Sequence, residues 1–142
     1  MKKAITLAIS LLLVAAAAIL GERSGGSAGL LWRNRTAFEQ AAEDMLTAGE
    51  TEAEIPGVRD IAVWGEGNGA IAQFTTGGGG YFGWDCVGVY YSQSGQPSAF
   101  RSYGYTLEPG GDGWVWHSES GESYGETHSI GGGWYSFSAE IS

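Results

Sequence analysis

Three patterns of apolar and polar positions follow one another along this chain. The first is an unbroken apolar run, AITLAISLLLVAAAAIL from Ala4 to Leu20, in which only Thr6 and Ser10 are polar and nothing is charged. The second runs from Asn34 to Ala48. There Phe38, Ala41, Ala42, Met45 and Leu46 recur at the i, i+3, i+4, i+7, i+8 spacing of a one-sided helix. Glu39, Glu43 and Asp44 fall off that stripe, Thr36 and Glu39 have capping-box spacing, and Gly49 supplies a stop. The third pattern is period-two alternation rich in Val, Ile, Thr and aromatics, broken by glycine clusters. It predicts strands at Val58–Trp64, Ala70–Thr76, Asp85–Ser92, Ser98–Tyr105, Trp114–Ser120, Ser123–Ile130 and Trp134–Ile141. Their short connections suit an up-and-down antiparallel meander, because parallel pairing needs long crossovers.

The last three segments permit a register. A two-residue turn at Gly121-Glu122 sets Ser120 opposite Ser123 and His117 opposite Glu126. Trp114 and Trp116 then share a face with Thr127 and Ser129, while Val115, His117 and Glu119 share the other with Tyr124, Glu126 and His128. A three-residue loop at Gly131–Gly133 places Tyr135 and Phe137 on the tryptophan side, so Trp114, Trp116, Tyr135, Phe137 and Ile141 form the expected core face. The predicted fold is α+β: one amphipathic helix on one face of a curved antiparallel β-meander of about six strands, preceded by an N-terminal membrane-inserting helix.

Flanking charge gives the first run its meaning. Lys2 and Lys3 precede it and the chain beyond soon turns acidic, so the C-terminal part is expected outside the cell membrane. Seventeen residues lie between a signal-peptide core and a full span. Two outcomes stand: a single-pass anchor, or a cleaved signal and a secreted product. Residues 21–29, rich in Gly and Ser, read as a linker, which leaves 30–142 as one extracytoplasmic domain.

From residue 30 onward, 15 acidic residues face four arginines, a formal charge of −11. Such a domain is repelled by phosphate backbones and anionic headgroups, which argues against nucleic acid as a partner. Cys86 is the one cysteine, so no intramolecular disulfide or cysteine-based metal site can form; a buried place on a strand is expected.

Several motifs dissolve in context. Gly121-Glu122-Ser123-Tyr124-Gly125 matches G-x-S-x-G, but a nucleophile elbow needs a helix next, and here a strand follows. Gly65-Glu66-Gly67-Asn68-Gly69-Ala70 mimics a dinucleotide loop, again with a strand where the helix should stand. The run Gly77 to Gly80 lacks the Lys-Ser/Thr of a phosphate loop. Asp85, Glu119 and Glu126 are acidic and near aromatics, but their spacing cannot be measured in sequence. His117, Glu126 and His128 make the one constellation with a definite chemistry, since two imidazoles and a carboxylate on one face can bind zinc; an ordinary polar outer face explains them as well. Trp64 and Trp84 border glycine loops and are candidate exposed aromatics.

The stretch QFTTGGGGYFGWDCVGVYYSQSGQPSAF, with the later GDGWVWHSES and GGGWYSFSAEI, resembles a set of small uncharacterised signal-anchored proteins of Gram-positive bacteria. The resemblance implies export and brings with it no activity, cofactor or site residue. The expected function is a tethered extracytoplasmic module without catalytic activity, bound to the membrane through Ala4–Leu20, that contacts a protein or cell-surface polymer. Its candidate contact residues are Trp64, Trp84, His117, Glu126 and His128, with no cofactor or metal assigned. A small metal-dependent hydrolase and a structural accessory subunit of a membrane complex are the alternatives.

Overall fold

The computed structural model describes residues 26–78, 84–100 and 105–141. The apolar run of residues 4–20 lies outside them. No helix among the described residues is long and apolar enough to cross a membrane.

The fold opens with helix α1, Ser27–Arg33, three residues inside the stretch read from composition as linker. Ser27, Ala28 and Leu31 are buried, and Ser27 Oγ lies 3.0 Å from Thr76 Oγ1 on the sheet. Asn34 ends α1, its Nδ2 donating to the Leu30 carbonyl, and at once begins α2, Arg35–Ala48. Thr36 is therefore inside a helix and caps nothing, and its expected partner Glu39 instead pairs with Arg35 one turn back at 2.8 Å. Gly49 stops α2 in the left-handed conformation (φ 68°).

Seven strands follow: β1 Asp60–Trp64, β2 Ile71–Gly78, β3 Trp84–Ser92, β4 Glu108–Gly110, β5 Gly113–His117, β6 Tyr124–Gly131 and β7 Trp134–Ile141. They form one open antiparallel sheet, so the molecule is α+β with two helices. Its order is β1-β2-β3-β7-β6-β5-β4, which departs from the expected simple meander. The last strand pairs with β6 on one side and β3 on the other, joining two three-strand halves. Residues 93–107 must then run from the middle of the sheet to its far edge. Their described part holds no strand where 98–105 was expected, because its side chains serve as a cover: Ala99, Phe100, Tyr105 and Leu107 pack onto the sheet. The fourth strand is the three-residue β4, at the edge, where Pro109 is tolerated.

Period-two alternation sends side chains into two cores. On one face α1 and α2 cover β1–β3 and the start of β7. Phe38 meets Phe74 and Trp134 at 5.0 and 6.1 Å between ring centroids, and Leu31, Met45, Val89 and Ile130 fill in around them. On the other face the crossover segment lies over Cys86, Tyr90, Trp116, Tyr135 and Phe137. Trp114 and Ile141 pack at its margin, so the aromatic face read from the sequence is a core face. Tyr105 stacks on Trp116 at 5.0 Å, and Tyr90 on Tyr135 at 5.1 Å. The hydroxyls of these two stacked tyrosines fasten the cover: Tyr135 donates to the Gly95 carbonyl, and the Ser98 N–H donates to Tyr90. Gly125 is required beneath Trp116, since a Cβ there would stand 2.6 Å from the indole and 2.5 Å from the Ser138 carbonyl oxygen.

Candidate functional site

The helices cover only half of their sheet face. Beyond β7 the same face continues over β6 and β5 with no cover among the described residues, and its residues follow from the ladder. His117 stands opposite Tyr124, Tyr124 opposite Glu140, and Glu140 opposite Asp85, a row across four strands. In the next row Glu126 lies between Val115 and Ser138. His117, Tyr124, Glu126, Glu140 and Asp85 are exposed, and Tyr124 at 49% is one of two large apolar side chains exposed among the described residues.

The register of the β5–β6 hairpin differs from the expected one by two residues. Ser118 N–H donates to the Ser123 carbonyl at 2.7 Å, and Gly121 N–H donates to Ser118 O at 2.9 Å, which closes a four-residue loop in place of a two-residue turn. Ser118 Oγ also accepts the Ser123 N–H. Side-chain hydroxyls thus stabilise the longer loop. A slip of two preserves every face, so His117, Glu126 and His128 do share one side. It changes the neighbours: Tyr124, and not Glu126, faces His117. His128 is then four residues from that pair, about 13 Å along the strand at ~3.3 Å per residue.

His128 is engaged elsewhere. Its Nδ1 is 3.0 Å from Asp112 Oδ1 in the β4–β5 turn, and its Nε2 is 3.6 Å from Glu126 Oε1. The two ring nitrogens address carboxylates on opposite sides, so the three expected ligands do not converge on one point. Among the described residues there is no group of three or more His, Cys, Asp or Glu placed to hold a metal ion. His117 Nδ1 lies 2.9 Å from the carbonyl of its neighbour Ser118. The centre of the row is the Tyr124 hydroxyl, which donates to Glu140 Oε2 at 2.5 Å; that carboxylate holds the phenol above its ordinary range.

The tryptophan candidates lie apart from this face. Trp64 lines a cleft on the opposite side of the sheet, with Gln73, Tyr90, Ser98, Phe100 and Phe137. The cleft spans about 220 Å³ with its solvent-open mouth included, and it has room for roughly one water molecule. Trp84 begins β3 opposite Ile141, and its side chain lies outside the described residues. Glu119 sits in the β5–β6 loop, away from Asp85 and Glu126 on the strands. The G-x-S-x-G segment spans the end of that loop and the start of β6, with Ser123 buried. The glycine-rich Gly65–Ala70 segment is a single 3-10 turn between two strands.

Tyr124 and Glu140 escaped selection from sequence, although a signal existed. Alternation placed Tyr124 with Glu126 and His128 on the polar side of its strand, and an aromatic on a polar side is an exposed one. No protein-family model, no curated protein and no solved structure matches the chain.

Proposed function

We propose that this chain is a membrane-tethered extracytoplasmic binding module without catalytic activity, which grips a basic segment of a protein or cell-surface polymer on the uncovered half of its sheet. The observation that carries the reading is the row His117–Tyr124–Glu140–Asp85, with Glu126 beside it, on a part of the face that no described element covers. A half-exposed tyrosine gives contact area at small entropic cost, and the carboxylates around it give charge preference. An open face of this kind suits an extended macromolecule, whereas small ligands are held in enclosed clefts. The apolar run of residues 4–20 and the acidic character of the domain support an address outside the membrane.

A photo-crosslinking amino acid placed at residue 124 of the full chain, on living cells, tests the proposal. It is expected to yield a discrete adduct that disappears when Glu126 and Glu140 are both changed to Lys. The same probe at Thr47, exposed on α2, serves as the control. Equal labelling from both positions, or none from 124, would sink the reading.

A further inference from the structure

The charges of this chain are sorted along it. From Arg23 to Phe38 there are three arginines and no acidic residue, while from Glu39 onward 15 carboxylates stand against Arg59 and Arg101 alone. Of the described arginines in the basic stretch, Arg35 is committed to Glu39, its side chain only 12% exposed. Arg33 is exposed, and so is its neighbour Trp32, at 36% the second large apolar side chain on the described surface. Gly29, Trp32 and Arg33 fall at i, i+3, i+4 on α1 and share its outward side, since Ala28 and Leu31 hold the inward one. Five residues, 21–25, separate Leu20 from Gly26, a spacer that reaches about 20 Å at most. Helix α1 is therefore the first described element after the apolar run and lies within that reach of it.

We propose that α1 rests on the outer leaflet, with the Trp32 indole in the interfacial zone and Arg33 against an anionic lipid headgroup. The inference deepens the tethered reading and rests on it. Indole favours the membrane–water interface, where its apolar body and N–H are both satisfied. A guanidinium beside it gains from the negative surface of an anionic leaflet, within a Debye length. The acidic remainder is pushed the other way by the same field.

The test uses the full chain reconstituted in vesicles of phosphatidylcholine with about one-third phosphatidylglycerol, made with or without brominated acyl chains. Subtracting the emission of Trp32→Phe from that of the parent isolates Trp32 from the other five tryptophans. The Trp32 component is expected to be blue-shifted, quenched at least twofold by brominated lipid, and less quenched in Arg33→Glu or in pure phosphatidylcholine. If the chain floats with the vesicles but Trp32 is quenched by aqueous iodide and not by bromine, α1 faces water; the inference falls and the tether stands. If Trp32 is shielded from both quenchers, and more so at high protein-to-lipid ratio, a second copy covers it and the inference also falls. If the chain does not float at all, the tether itself is wrong.

Discussion

Tyr90 shows how a single polar atom is accommodated in the aromatic core. Its ring is buried against Tyr135 and Phe137, and its hydroxyl lies 2.7 Å from Thr127 Oγ1 and 3.3 Å from the Ser98 carbonyl. Burial pushes the phenol up to about 12, against the opposing pull of the Thr127 and Ser98 hydrogen bonds. The unfolded chain ionises near 10, so the stability tied to the neutral phenol is complete below pH 10 and is lost as pH climbs toward 12. A shift of this size corresponds to about 3 kcal/mol. Urea denaturation between pH 9 and 11.5 should show the parent losing stability faster than Tyr90→Phe; parallel losses would place the alkaline sensitivity elsewhere. The same neighbourhood explains Thr127, a polar residue that alternation put on the aromatic face. Its face was legible from local pattern, but its partner, 37 residues away, was not, because nothing local records which strand lies alongside.

At the level of elements, composition concealed what burial reveals. Ser27, Ala28 and Gly29 read as linker because small residues carry no periodic signal, yet they begin a helix whose Leu31 is 1% exposed and packed in the main core. Leu31→Ala should cost about 2–5 kcal/mol in chemical denaturation, whereas Trp32→Ala, one position on, should cost less than about 0.5 kcal/mol in the absence of lipid. Near-equal effects would show that α1 is not part of the folded unit. The hairpins teach a related lesson. The β6–β7 register was legible because three glycines spaced two strongly alternating strands, although Ile130 bulges out of the ladder and joins Trp134 in the helical core. The β5–β6 register was two residues off because serine hydroxyls chose the loop, and hydroxyl geometry leaves no mark on hydrophobic pattern. Faces survived that error, and neighbours did not. The zinc constellation was a statement about neighbours.

For the molecule as a whole, the formal charge of −11 over residues 30–142 sets a repulsion that compactness aggravates. Among the described residues the Arg35–Glu39 pair offsets part of it, and the His128 ring sits between Asp112 and Glu126. Added sodium chloride should therefore stabilise the fold. Relief of about 1 kcal/mol between low salt and 0.3 M would raise Tm by roughly 3–5 °C. A fall in Tm would mean that those pairs outweigh the repulsion. The number and antiparallel sense of the strands were nearly legible; their order was not. Pairing of β3 with β7 joins segments about 50 residues apart, and that choice follows from two cores being sealed at once.

The strand at the middle of the sheet, β7, is also the last of the seven in chain order. Until the ribosome has released residues 134–141, the nascent chain has two half-sheets with raw edges at β3 and β6 and no way to join them. Both hydrophobic cores draw on Trp134 or Tyr135 and Phe137, so neither can close early. Closure of both cores thereby waits for residues 134–141, and the unpaired edges of the two halves are open to aggregation for the same interval.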